Sequence, residues 1–180
     1  LAWTNPTTRS TGNTITASIW NADVVDNLDW LAHESSGGAP TACAYNSANF
    51  SVANNTLTAV TLNSERWDIG ACHSTVTNTS RLTVPAGGGG LYEIGACLQY
   101  AANATGIRST SLRLNGTTTI WAVSDNNLSA NAITHTLHRI YRLAASDYVE
   151  VCAYQTSGGN LNVEAASNYS PELYFRWCGV

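Results

Sequence analysis

The sequence predicts an all-β antiparallel chain of the sandwich, jelly-roll or barrel kind, with one short N-terminal helix and an extended arm. Three observations predict it. From about Cys43 to Val180 the chain reads as eight to ten short strand segments of similar length, several alternating apolar and polar with the period of a half-buried strand. Turn residues separate them at regular spacing. Only one segment carries a helical period, which excludes a parallel sheet built with crossover helices.

The elements follow in order. Trp3-Thr-Asn-Pro-Thr-Thr-Arg-Ser-Thr-Gly12 is a polar, extended arm. Thr16 is a good N-cap for a helix running to Glu34, because its hydroxyl can accept a free amide of the first turn. Trp20, Val24, Leu28 and Leu31 recur at i, i+4, i+8 and i+11 and form one face. Asp23, Asp26 and Asp29 fall on other faces and are expected in solvent, and Trp30 adds a second large ring near the end. Ser35-Ser-Gly-Gly-Ala-Pro40 breaks the helix and reads as a flexible linker. The division expected is an anchor at 1–34, a linker at 35–42 and a β head at 43–180.

Within the head, Asn49 to Val52, Leu57 to Leu62 and Arg66 to Ala71 are short runs rich in Thr, Val and aromatic residues. Arg81-Leu-Thr-Val-Pro85 leads through a glycine run, 87–90, into Leu91 to Tyr100. There Tyr92, Ile94, Ala96, Leu98 and Tyr100 make a period-two apolar face. Ile107 to Leu114, the Asn115-Gly116 turn and Thr117 to Val123 form a hairpin. Ile133 to Leu143 and Asp147 to Gln155 alternate well, and Glu172 to Cys178 closes the chain.

Composition narrows the function. The chain has 180 residues, of which 44% are hydrophobic and only 11% charged, against an ordinary charged share of about 25%. Its polar surface is therefore Thr, Ser, Asn and Gly, which suits a packed assembly or an extracellular setting. Lysine is absent, the eight arginines are scattered and the net charge is −4. Phosphate neutralisation needs clustered cations, so no nucleic-acid partner is expected. No apolar run approaches the ~18 residues of a membrane span, and the opening lacks the regions of a signal peptide. No membrane partner is expected.

Chemistry is poorly represented. The five cysteines, at 43, 72, 97, 152 and 178, make no C-x-x-C pair. Free buried thiols, or one or two disulfides, both remain open. His135 and His138 are three apart on a strand, so they face opposite ways and hold no shared metal easily. Cys72-His73 would need assembly in space to form a dyad. Glu93, Glu150 and Glu164 lie on or near strands, yet only spatial separation defines a glycosidase pair. No Gly-x-Ser-x-Gly elbow occurs, and the glycine run lacks the Lys-Ser/Thr of a phosphate loop. The chain is read as no enzyme, with no cofactor and no metal.

Three segments carry a resemblance: Arg81-Leu-Thr-Val-Pro-Ala-Gly-Gly-Gly-Gly-Leu-Tyr92, Arg113-Leu-Asn-Gly-Thr117 and Leu143-Ala-Ala-Ser-Asp-Tyr-Val-Glu-Val151 followed by an aromatic last strand. Together, over roughly 49–180, they resemble tumour-necrosis-factor-like and complement globular-head jelly rolls. The N-terminal region is similar to the opening of many tailed-phage structural proteins. The residues are Trp3-Thr-Asn-Pro, Thr16-Ala-Ser-Ile-Trp-Asn21 and Asp26-Asn-Leu28.

These resemblances imply a jelly-roll head, a homotrimer and a virion location on the particle exterior. They imply a capsid decoration protein anchored to other virion proteins, the major capsid protein first. The alternative is a receptor- or glycan-binding head or tail-fibre module, using loops such as 101–106 and 124–131 on a host glycan or protein. The anchor contacts expected are Trp3, Trp20, Val24, Leu28, Trp30 and Leu31, since tryptophans concentrate binding energy. The trimer contacts expected are Tyr100, Tyr154, Tyr174 and Trp177.

Overall fold

The computed structural model describes residues 4–32, 38–126, 130–166 and 168–179. Thr16 caps the helix as expected, its Oγ1 accepting the Ile19 amide at 3.3 Å. That satisfies one donor which a helix start leaves free. Helix α1 (Ala17–Trp20) passes through one π-helical turn, Asn21–Val25, into α2 (Asp26–Ala32). The wider turn rotates α2 relative to α1, so the 20-24-28-31 stripe does not run straight.

Among the described residues the head has twelve strands. They are β1 (Thr41–Tyr45), β2 (Phe50–Val52), β3 (Thr58–Ala59), β4 (Ser64–Ile69), β5 (Arg81–Thr83) and β6 (Gly90–Tyr100). Then come β7 (Ile107–Leu114), β8 (Thr118–Asn126), β9 (Ile133–Leu143), β10 (Tyr148–Gln155), β11 (Leu161–Val163) and β12 (Glu172–Gly179). One sheet has the order β2-β11-β6-β12-β1-β4, with β9 along β6, and the other has β3-β10-β7-β8, with β5 also on β10. Every named pairing is antiparallel. Successive strands β6 to β7, β8 to β9 and β9 to β10 change sheet, which makes the sandwich a jelly roll.

The alternating face of β6 is the centre of the core. Tyr92, Ile94, Leu98 and Tyr100 are fully buried and Ala96 nearly so. They meet Leu137 and Leu143 of β9, Leu173 and Phe175 of β12, and Leu112, Val149 and Val151 from the facing sheet. Asn115 and Gly116 join β7 to β8 at φ 51° and 69°. Positive φ at both positions is the hairpin geometry that an Asn-Gly pair favours.

One boundary and one strand differ from the sequence reading. Residues 38–42 are not a free tether: Ala39 and Pro40 are buried and β1 opens at Thr41. Strand β11 went unread because three residues carry too little period. All five cysteines are unpaired; Cys43, Cys72 and Cys152 are buried, Cys97 is half-buried and Cys178 is exposed. Burial pushes the Cys43 thiol up to about 12 and that of Cys152 to about 11, so both are protonated and unreactive near neutral pH.

Candidate docking surfaces

The arm folds back along the helix. Asn27, buried within this unit, accepts the Thr4 amide on Oδ1 at 2.9 Å and donates Nδ2 to the Thr4 carbonyl at 2.7 Å. Further along the arm, Arg9 donates to Asp23 at 2.8 Å. Asp23 is therefore paired and mostly covered, not free in solvent as its helical position suggested. Pro6 completes a shallow cleft of about 170 Å³ with Asp23, Val24, Asn27, Leu28 and Leu31.

One of the expected anchor contacts points the other way. Trp30 is 3% exposed and packs edge-on against Trp177, ring centres 4.5 Å apart. Its carbonyl accepts the Ala39 amide at 2.7 Å. Trp30 thus holds the helix to its own head and is unavailable to a partner. Trp20, Leu28 and Leu31 remain 54%, 58% and 46% exposed, while Val24 is half-buried. Trp3 lies outside the described residues.

The outward face of the β6 sheet is a second surface. Strand register sets Trp67, Cys43, Tyr174, Gly95 and His138 in one row across five strands. Thr41, Arg176, Glu93 and Ile140 form the next row on that face. Residues directly opposed in register share a face. The Tyr174 ring lies over Gly95, where any side chain would collide with it. Trp67 donates Nε1 to Thr41 Oγ1 at 3.1 Å. A depression of about 380 Å³ runs between Thr41, Trp67, Glu93, Glu172, Tyr174 and Arg176. Glu93 accepts from His138 at 2.8 Å and from Arg176 at 2.5 Å, and Arg66 pairs with Glu172. Glu93 thus joins His138 and Arg176, Glu172 joins Arg66, and apolar Trp67 and Ile140 are exposed on the same face. At the sandwich edge Arg139 lies 4.9 Å from the centre of the half-exposed Trp121 ring.

The four expected trimer residues separate. Tyr100 is a correction: it is fully buried between the sheets, its hydroxyl donating to the Ser109 carbonyl at 2.6 Å. It offers nothing to a neighbour, because β6 continues its inward alternation to the last residue. Tyr154 lies on the other sheet and donates to Asn55 Oδ1 at 2.6 Å. Tyr174 is on the outward face just described, and Trp177 is occupied by Trp30.

Sequence reasoning missed a polar cluster under the 101–106 loop. Arg108, wholly buried, donates to the carbonyls of Asn103, Thr105 and Ile107 at 2.8–3.1 Å. His135 points inward beside it in the core, Nδ1 3.0 Å from Thr110 Oγ1 and Nε2 3.1 Å from Asp125. Its ring meets Tyr100 edge-on. Burial drives the His135 pKa down, and Asp125 opposes that. The alternation of β9 could have shown His135 pointing inward, but not its partners, which come from two other strands. His138, three residues on, faces outward, so the two histidines are on opposite sides as their spacing requires. Among the described residues no group of three or more His, Cys, Asp or Glu is placed to hold a metal. No helix there is long and apolar enough to cross a membrane.

No family model and no curated protein matches this sequence. Solved structures share the fold. Murine APRIL at pH 5.0 superposes with a TM-score of 0.58 at 12% identity, over 77% of this chain and 98% of that one. Eiger TNF from S. frugiperda gives 0.57 at 14% identity, over 78% and 93%. The globular domain of zebrafish complement 1qA gives 0.52 at 14% identity, over 77% and 96%. At these identities the likeness establishes the fold, a jelly roll of the tumour-necrosis-factor and complement-head type.

Proposed function

We propose that this chain is a non-enzymatic structural protein of a tailed-phage virion, a trimeric capsid decoration protein displayed on the particle exterior by its N-terminal unit. The observation that carries the reading is the helix: pinned to its own head by Trp30, it still leaves Trp20, Leu28 and Leu31 about half exposed. A helix that served only its own domain would bury those positions. The N-terminal motifs that resemble phage structural proteins lie in this unit.

Charge specifies the partner's surface. Asp26 and Asp29 flank the exposed leucines without a basic residue in α2. The surface that fits is an apolar groove rimmed by Arg or Lys, on a virion shell protein such as the major capsid protein. A threefold head would multiply a modest single-anchor affinity by effective concentration. The trimer is favoured by the fold type and by exposed apolar side chains in two places, Trp67 and Ile140 on the outward face of the β6 sheet and Trp121 at the sandwich edge. Unlike patches that meet head to tail close into a ring when the rotation permits.

Immunogold labelling of purified particles tests the reading. Decoration predicts label distributed over the capsid; label confined to fibre tips would support the second reading, a receptor- or glycan-binding module. One observation favours that second reading: Arg108 fixes the 101–106 loop from beneath, as a rigid recognition loop requires.

A further inference from the structure

Two sequence motifs that lie more than twenty residues apart meet in the N-terminal unit. Thr4 and Pro6 come from the Trp-Thr-Asn-Pro run, and Asn27 and Leu28 from Asp-Asn-Leu. Asn27 is 4% exposed and its amide is fully engaged. Oδ1 accepts from Thr4 N at 2.9 Å, and Nδ2 donates to Thr4 O at 2.7 Å and to Asp23 O at 3.2 Å. One side-chain amide therefore pairs with both backbone groups of a single residue, as a neighbouring strand would. Only a carboxamide offers a donor and an acceptor in that fork. The arm runs antiparallel to the helix from this point, and Arg9 ties it again at Asp23. Between the two ties Pro6 lies beside Val24, Leu28 and Leu31 in one cleft.

We infer that the arm and helix dock as one preformed unit, and that Asn27 is the positioning residue that preforms it. The inference rests on the attachment reading above and deepens it. The partner meets a two-piece apolar surface, Pro6 from the arm and Leu28 with Leu31 from the helix, already assembled. An arm that was ordered only on docking would lose conformational entropy for each residue fixed. Prior ordering removes that cost from binding. The Asp-Asn-Leu run therefore supplies a clamp in its second residue and a contact in its third.

Trypsin reads the clamp without any partner. The chain has no lysine, and Arg9 is its only tryptic site before Arg66. The native chain is expected to resist cleavage after Arg9, and the Thr4 amide to exchange slowly. Asn27→Asp and Asn27→Leu should each speed that cleavage about tenfold or more while cleavage in the head stays unchanged. On chain-depleted phage particles the same variants should bind about tenfold more weakly. Equal cleavage rates in native and variant chains, or a Thr4 amide exchanging like an open chain, would overturn the inference. So would a loosened arm that still binds particles at full strength. If Leu28→Asp also binds at full strength, the attachment reading itself fails instead.

Discussion

The Trp30 indole stands edge-on to the Trp177 indole, centres 4.5 Å apart and planes at 82°. One ring comes from the helix and the other from the last strand, and Trp177 N donates to the Pro40 carbonyl at 2.9 Å beside them. The helix thus has a fixed seat at one end of the sandwich, and its direction there decides which residues face outward.

Removing that seat should separate the unit from the head. Trp30→Ala deletes a buried ring whose loss costs roughly 3–5 kcal/mol where the site cannot collapse. The expected result is amide exchange in 26–32 rising toward open-chain rates, with β6 and β12 still protected. Hydrogen-exchange mass spectrometry checks it; uniform loss of protection across the head would show that the helix is part of one cooperative unit.

Acid should weaken the head through His135. Its side chain is 1% exposed and burial holds its pKa below the ordinary value of about 6.5. As pH falls past that value the unfolded chain takes up a proton that the folded chain still refuses. Stability is therefore present above about pH 6.5, declines as the pH drops toward the folded-state pKa, and stops declining below it. Urea midpoints at pH 7.5 and 5.5 measure the loss, and His135→Gln should remove this part of the slope. Glu93 acts in a lower window: hydrogen bonds from His138 and then Arg176 hold its carboxyl below the ordinary range. Its contribution is present above the ordinary carboxylate pKa of about 4.3 and is lost only as the pH falls below it.

Arg108→Met should leave the carbonyls of Asn103, Thr105 and Ile107 without that donor. A buried unsatisfied group costs about 1–3 kcal/mol, so the variant should lose at least about 2 kcal/mol in chemical denaturation, with exchange rising first in 101–106. An unchanged loop would mean that backbone turns alone shape it.

Alternation made most of the head legible in the sequence. Leu91 to Tyr100 was read with its inward residues correct because an eleven-residue strand shows its period many times over. The strand at Thr41–Tyr45 was obscured by a glycine- and proline-rich approach that looks like linker, although Pro40 is buried by strands contributed far along the chain. Trp30 is expected among the anchor contacts because helical spacing gives a direction only relative to the helix. Which side meets the head depends on Trp177, 147 residues later. The Thr4–Asn27 clamp was invisible for the same reason: nothing local in either motif names the other.

The trimer has its own test. Light scattering should give three times the 19.1 kDa protomer mass, and Ile140→Asp, placed on the exposed outward face beside Glu93, should yield a folded monomer. A native chain that runs as a monomer at all concentrations would remove threefold display from the account.

Particle occupancy reads attachment through the helix face. Particles assembled with the double variant Leu28→Asp, Leu31→Asp should carry almost none of the chain, although the free variant keeps the head's circular dichroism and oligomeric mass. Full occupancy by that folded variant would contradict attachment through this face.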